Sequence, residues 1–468
     1  MLKKSLIILS LLALILTPRI IAGIHNKNIA ADAARKGDFA LAAEAYEKAA
    51  NQLFWQNSLW NEAARAYLIA GQRDEARRAY RKALQENALS AFGWDYLGLD
   101  AQAQGNEAEA LQFWQDGLNK FPDYLPFYTH LASLYQAKGD YPNEIAMRRE
   151  YLARDSESED AAYMHYRLGV LLLPDSQEEA LDELTLAARV DPTFASAVDT
   201  LRTALNLALL ESDPAEKRIL LGRGLALVGE WELAAQIFTE ATQAYPKSAS
   251  AWAWLGEAKQ HLGEDPLPAL DRALSLNPQS VLTRSLRGLY WQRQGDATQA
   301  AKEFHAAAAL EPKNPQWQAA LGESYAQNGD LQLALAAYQK AVELAPQDPR
   351  YWQFLARFSV QYAVQPEEIG LPAAQKAVEL APQDPAAADT LGWVYLGMEN
   401  DAEAEKYFKA ALALDANWSA AYLHLGMLYL KEGHGELAKA ALLQAQALAD
   451  DPAVFNEAAR LLNEYFQE

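Results

Sequence analysis

Residues 320–346 read ALGESYAQNGDLQLALAAYQKAVELAP, and this stretch recurs in altered form along most of a chain of 468 residues. A second copy, WDYLGLDAQAQGNEAEALQFWQDGLNKFP, occupies residues 94–122. Three sets of residues recur with a period close to 34: Gly37, Gly71, Gly105 and Gly139; Gly222, Gly256, Gly288, Gly322, Ala356, Gly392 and Gly426; and Pro246, Pro278, Pro312, Pro346 and Pro382. A fixed period of this length predicts an array of structural repeats.

Each copy predicts a hairpin of two α-helices. Small residues such as Gly98 and Gly322 allow the two helices to approach closely, and large aromatic residues such as Tyr338 fill the gap to the next hairpin. The Gly329-Asp330 turn supplies a helix stop followed by an N-cap. A proline then fits the first turn of the next helix but not its interior. Because one hairpin cannot bury both of its faces, neighbouring hairpins must stack.

The first helix of the pattern carries Trp, Leu-Gly and Tyr, the second carries Ala and an aromatic residue, and Pro follows. This pattern is similar to the tetratricopeptide repeat. The resemblance covers about residues 23–450 and is to the exported or membrane-anchored bacterial type. It implies an all-α fold, a right-handed superhelical solenoid of about 11–12 helix-turn-helix repeats with an N-terminal apolar helix.

Five segments follow from the spacing: a leader at 1–24, a first array at 25–192, an extra helix at 193–214, a second array at 215–450 and a capping helix at 451–468. The extra helix is predicted over 194–211, because the step from Gly169 to Gly222 exceeds the period by 19 residues. This helix is either a joint between two arrays or one irregular repeat in a continuous stack. Within the cap, Val454, Ala458, Leu461, Leu462 and Tyr465 are predicted to face inward.

One repeat departs from the pattern in its second helix. Glu144 and Arg148 stand where Ala and an aromatic residue are expected. We therefore predict that this helix packs less well or turns a charged face outward.

The first 24 residues predict either a cleaved signal peptide or an uncleaved membrane anchor. Two lysines precede a twelve-residue apolar run at 5–16, the layout of a secretory signal, but Ile20 makes a poor cleavage site. Read as an anchor, residues 6–24 are just long enough to span the hydrocarbon of a bilayer. Either interpretation predicts a protein of the cell envelope with extracytoplasmic repeats.

Composition excludes several classes of function. The 41 Lys and Arg against 62 Asp and Glu give a net charge of −21, which disfavours binding to nucleic acid. The chain has no Cys, so disulfides, thiolate metal sites and cysteine nucleophiles are excluded.

The search for chemistry finds no catalytic, cofactor or metal motif. There is no phosphate-binding loop, no G-x-S-x-G and no H-E-x-x-H. His424 and His434 form the closest histidine pair, but ten residues between them is not a metal-ligand spacing. We predict a protein that is not an enzyme and needs no cofactor or metal.

The family resemblance implies a binding surface on the concave side, lined by the first helices. The candidate partner-binding positions there are Asn61, Arg65, Asp95, Arg223, Glu257, Gln292, Glu323, Arg357, Asp389 and Trp393, with Leu289 among further positions on the same face. Their mixed charge favours protein or peptide partners over a polyanion.

The sequence thus favours a non-enzymatic protein–protein interaction scaffold at the cell envelope, with contact to the membrane only through the N-terminal segment. The alternative is a glycan-binding protein, for which Trp393 is the best aromatic candidate, or an all-α toroid carbohydrate-active enzyme with two carboxylates in its bowl.

Overall fold

The structure is a computed structural model that describes the backbone of residues 2–466 and the side chains of residues 16–466. The described part is helical and contains no strand. The chain divides into two compact units, unit 1 (Met1–Asn206) and unit 2 (Leu207–Glu468). The division after Asn206 lies within the segment 193–214 that the sequence sets apart.

Unit 1 consists of five consecutive helical hairpins followed by a single helix. Its helices are α1 (Leu2–Arg35), α2 (Phe39–Gln52), α3 (Leu59–Ile69), α4 (Arg73–Gln85), α5 (Ala91–Ala103), α6 (Glu107–Lys120), α7 (Pro126–Ala137), α8 (Tyr141–Leu152), α9 (Glu159–Leu172), α10 (Gln177–Val190) and α11 (Ala195–Leu210), the last of which continues into unit 2. Helix α11 is the extra helix predicted over 194–211.

Unit 2 continues with seven hairpins and ends in a lone helix. Its helices are α12 (Pro214–Leu227), α13 (Trp231–Ala244), α14 (Ala249–His261), α15 (Leu267–Leu276), α16 (Val281–Arg293), α17 (Ala297–Leu310), α18 (Pro315–Gln327), α19 (Leu331–Leu344), α20 (Pro349–Gln361), α21 (Leu371–Leu380), α22 (Pro385–Gly397), α23 (Asp401–Leu414), α24 (Ser419–Lys431), α25 (Gly435–Leu448) and α26 (Pro452–Phe466). The cap α26 buries Ala458 and Leu461 against α24 and α25, but Tyr465 is exposed and was wrongly predicted to face inward.

The Gly-Asp turns act largely as predicted. Gly295 takes a left-handed φ of 74°, and the Asp296 side chain then accepts a hydrogen bond from the backbone N–H of Gln299. Asp330 differs, because its carboxylate caps no backbone N–H and instead accepts a bond from the side-chain amide of Asn328.

The small residue of each first helix faces a large residue of the second. A Cβ added to Gly98 would lie 2.2 Å from Nε1 of Trp114, and one added to Gly392 would lie 2.6 Å from the ring of Phe408. Both aromatic side chains are fully buried. The glycines therefore set the distance between the helices of a hairpin.

The charged repeat of unit 1 contradicts one of the two alternatives predicted for its second helix, that of a charged face turned outward. Glu144 and Arg148 on α8 have exposures of 0% and 1%, so the charged face points into the core. The Glu144 carboxylate accepts hydrogen bonds from Arg148 at 3.0 Å and from Arg167 on α9 at 3.0 Å. Arg148 also donates to Gln136, and burial lowers the pKa of its guanidinium. Pairing across two hairpins makes the inward orientation possible.

The N-terminal segment is part of a longer helix. Helix α1 continues through the predicted boundary at residue 24 as far as Arg35. No helix of the described part is long and apolar enough to cross a bilayer. Within the apolar run at 5–16, the structure describes the side chain of residue 16 alone. The prediction of a signal peptide or a membrane anchor therefore falls mostly outside the described side chains and stays a prediction.

Close packing at Gly392 predicts a destabilised Gly392→Ala variant. The new methyl group collides with Phe408, which costs about 1–3 kcal/mol, while the better helix propensity of Ala returns at most about 1 kcal/mol. We expect a lower free energy of unfolding in urea denaturation followed by circular dichroism. Gly435→Ala is the control in the same unit, since its Cβ would meet its first neighbour at 3.9 Å. Equal stability of the two variants would contradict the argument.

The buried cluster predicts a large effect of Glu144→Gln. This substitution removes the carboxylate that two buried guanidinium groups share, and breaking a buried ion pair costs about 3–5 kcal/mol. Glu179→Gln is the matched control, because Glu179 pairs with Arg149 at 2.6 Å on the exposed surface, where such pairs contribute at most about 1 kcal/mol. Urea denaturation of both variants measures the difference, and similar losses would refute a charged core.

Candidate functional site

One groove that carries predicted residues lies in unit 2, between the first helices of three successive hairpins. A cavity of about 320 Å³ opens between α16, α18 and α20, with Tyr338 of α19 at its base. We call it the unit 2 groove. Its lining residues are Leu289, Gln292, Gln316, Ala319, Ala320, Glu323, Tyr338, Arg350, Tyr351 and Phe354.

The floor and two edges of the groove are apolar. Tyr338 and Tyr351 are buried, and the ring of Tyr351 contacts that of Phe354 edge-on with centroids 6.1 Å apart. Leu289 and Phe354 remain exposed at the edges. Burial raises the pKa of the Tyr338 hydroxyl, and the nearby carboxylate of Glu323 adds to this effect, so the tyrosine is neutral at physiological pH.

The rim of the groove is polar but nearly neutral in charge. Glu323 is exposed and accepts a hydrogen bond from Gln327 at 3.3 Å. Arg350 binds both carboxylate oxygens of Asp348, which lowers the pKa of that carboxyl group. Gln292 adds an amide. The groove therefore offers an apolar cleft with hydrogen-bonding groups around it, and a single carboxylate among its lining residues.

Of the predicted partner-binding residues, Gln292 and Glu323 line the groove together, with Leu289 from the same predicted face. Arg357 is exposed, and its positive charge acts to lower the pKa of the Tyr338 hydroxyl, against the larger effect of burial. Arg65 and Arg223 are also exposed, Arg223 lying over the ring of Trp254 at 4.9 Å.

Four predicted residues are buried rather than exposed, and this corrects their assignment to an open surface. Asn61 donates to the carbonyl of Ala88 and accepts from the N–H of Ser90. Each of the other three pairs with a side chain of the following repeat: Asp95 with His130 at 3.2 Å, Glu257 with Arg293 at 3.0 Å, and Asp389 with His424 at 2.8 Å. Their hydrogen-bonding capacity holds adjacent repeats together.

Trp393 is half-buried. One ring neighbour is His424, whose centroid lies 4.6 Å away, and the indole also packs into the cluster around Phe408 and Leu425. This packing gives Trp393 a role in the core.

The sequence prediction missed six further lining residues: Gln316, Ala319, Ala320, Arg350, Tyr351 and Phe354. The period of 34 relates Gln316 to Arg350 and Ala320 to Phe354, but neither member of either pair was a predicted position. Within residues 16–466, no group of three His, Asp or Glu side chains could hold a metal ion.

Models of one protein family match four separate stretches of this chain. One model described as tetratricopeptide repeat matches residues 285–349, and another with the same description matches residues 58–88, 387–417 and 419–452.

One curated relative is the probable biofilm formation methyltransferase WspC of Pseudomonas aeruginosa. It is 38% identical over 72 residues, which are 15% of this chain and 17% of that protein. The match thus spans less than a fifth of that methyltransferase.

The solved structures that match this chain have low sequence identity to it. A chain from the crystal structure of the APC/C hetero-tetramer Cut9–Hcn1 is 15% identical to this chain. The match covers 95% of this chain and 96% of that chain, with a TM-score of 0.44. Yeast Tom70 is 15% identical over 95% of each chain, with a TM-score of 0.43. A tetratricopeptide repeat protein from Parabacteroides merdae is 16% identical over 53% of this chain and 98% of that chain, with a TM-score of 0.45.

The family models match repeats in both units, and the hairpins between the matched repeats have the same small-against-large packing. The chain thus contains tetratricopeptide repeats in both units, at residues 58–88, 285–349, 387–417 and 419–452.

Proposed function

We propose that this protein is a non-enzymatic interaction scaffold, and that the unit 2 groove takes an apolar side chain of an extended polypeptide. The observation that carries the proposal is the apolar cleft between three successive first helices, with Leu289 and Phe354 exposed at its edges. Exposed apolar side chains around a concave, polar-rimmed cleft are typical of a binding site.

The chemistry of the rim favours a polypeptide over a charged small molecule. Gln292 and Gln316 can donate to and accept from peptide groups, and Arg350 already has Asp348 as its partner. The single carboxylate of Glu323 gives no acid/base pair for hydrolysis, which supports a binding role. We place the groove on the concave side of the repeat stack of unit 2, where further weak contacts along the first helices add avidity.

We also propose that the chain is held at the cell envelope by an uncleaved N-terminal anchor. Cleavage after Ala22 would remove the part of α1 in which Ile20 packs on the core of unit 1 and Arg19 donates to the carbonyl of Asn51. Loss of these contacts would open the first hairpin. The continuity of α1 supports retention of the leader.

The groove predicts a double variant that loses peptide binding. Peptides are selected from a random phage-displayed library on the full-length chain, and their affinities are measured by fluorescence anisotropy. Leu289→Asp combined with Phe354→Asp places two charges at the apolar edges, and we expect binding to weaken at least about tenfold.

The matched control is Leu333→Asp, because Leu333 is an apolar side chain that is also exposed but lies on α19 outside the groove lining. This variant should bind as the unchanged protein does. Equal binding by the double variant, or selection of no peptide at all, would argue against the groove as the binding site.

The anchor predicts an intact N-terminus. N-terminal sequencing of the protein purified from native membranes should begin at Met1, and the protein should stay in the membrane fraction after alkaline extraction. A sequence beginning near Gly23 would instead indicate a cleaved signal peptide.

A further inference from the structure

An exposed apolar patch lies at the start of unit 1. Ile21 and Ile24 on α1 have exposures of 62% and 48%, and Phe54 and Trp55, in the loop between α2 and α3, have exposures of 56% and 50%. We call these four residues the amino-terminal patch. Burial in the core does not explain four large apolar side chains that are exposed within one hairpin and its loop. Exposed apolar groups of this kind are typical of an interaction site.

The loop that carries the two aromatic residues is fixed against α1. Asn26 donates to the side chain of Gln52 at 2.9 Å, and Lys27 donates to that of Gln56 at 3.0 Å. Gly23 allows the close approach, since a Cβ there would lie 2.6 Å from Leu53. The patch is therefore held in place by specific contacts rather than exposed on a free loop.

The aromatic residues of the patch also hold each other. The rings of Phe54 and Trp55 meet edge to face with centroids 5.0 Å apart. Ile21 and Ile24, three residues apart, share one face of α1, turned away from the face on which Gly23 and Asn26 meet this loop. The patch thus combines a rigid aromatic pair with an aliphatic helix face.

Charge distinguishes this end of the chain from the rest. The first 31 residues contain Lys3, Lys4, Arg19 and Lys27 and no Asp or Glu, a net charge of +4. Since the whole chain carries −21, the remaining residues carry −25. Lys3 and Lys4 precede the proposed anchor, so Arg19 and Lys27 are the cations on the same side of it as the patch. A surface with negative charge would attract these two residues and repel the acidic repeats.

We propose that the amino-terminal patch lies in the headgroup region of an anionic lipid bilayer, with Phe54 and Trp55 inserted among the lipids. The inference rests on the anchoring proposed above. The same helix α1 reaches back to Leu2, through the apolar run at 5–16. Aromatic side chains prefer the interface between hydrocarbon and water, and Arg and Lys next to a membrane segment extend toward the headgroups.

An anionic bilayer explains both the exposed apolar patch and the positive charge near it. An apolar protein partner would explain the exposed patch but not the concentration of positive charge beside an apolar run in an acidic chain. Anionic lipid explains the charge as well, because each Lys or Arg near the surface contributes about 1 kcal/mol of attraction. The same surface would repel the acidic repeats.

A single labelled cysteine tests the proposal, and the absence of native Cys makes each label unique. Phe54→Cys is labelled with an environment-sensitive fluorophore in the full-length chain and reconstituted into vesicles of phosphatidylcholine and phosphatidylglycerol. Ile69→Cys is the matched control, because Ile69 is 61% exposed and lies at the far end of the adjacent helix α3. Flotation measures anchoring, and quenching by aqueous iodide and by brominated lipid measures depth.

We expect the protein to float with the vesicles, the label at 54 to lose most of its iodide quenching and to gain quenching by brominated lipid, and the label at 69 to stay accessible to iodide. Flotation with both labels equally accessible would overturn the interfacial patch while leaving the anchor in place. Failure to float would overturn both. Protection of the label at 54 in detergent without lipid, rising with protein concentration, would assign the patch to a second copy of the chain.

Discussion

The close approach of two helices within each hairpin is the constraint on which the rest of the structure depends. It requires a residue with little or no side chain on the first helix and a large side chain opposite, as with Gly98 and Trp114 or Gly322 and Tyr338, each pair sixteen residues apart. Burial of the large side chain at that point leaves the outer faces of the hairpin apolar. The hairpin can bury these faces only against another hairpin, so the stack follows from the local contact.

Adjacent hairpins are held by polar contacts as well as by apolar ones. Asp95, Glu257 and Asp389 occupy buried positions on first helices, and each pairs with a cationic or imidazole side chain of the next repeat. A buried polar group of this kind costs free energy if it loses its partner. These pairs therefore favour one way of placing the next repeat over others that would bury the same apolar area.

The sequence predicts the features that depend on local residue types. The period, the glycine turns, the extra helix α11 and the lone helix at the end all follow from residues whose effect is confined to a few neighbours. Of the two alternatives predicted for Glu144 and Arg148, the outward charged face was wrong, because Arg167, which donates to Glu144, lies in the next repeat, where no local pattern points to it. The open position predicted for Asn61 was wrong in the same way, since the carbonyl of Ala88 to which it donates lies 27 residues later.

The candidate site was predictable to a smaller degree. Periodicity identifies the face of the first helices, and Gln292 and Glu323 lie in the groove for that reason. Which positions of that face remain open depends on how far each helix shifts against the next. That shift is set by side-chain volumes in three hairpins at once, so Tyr351 and Phe354 became part of the site only through tertiary packing.

The charged core of unit 1 has a consequence for how its repeats can be ordered. Apolar junctions between repeats are interchangeable in kind, and duplication or exchange of a hairpin leaves an acceptable contact behind. The junction between α8 and α9 is different, because any neighbour that lacks the guanidinium of Arg167 would leave part of the Glu144 carboxylate without a counter-charge in the interior. Together with the buried pairs at other junctions, this junction restricts which hairpins could replace one another in the array.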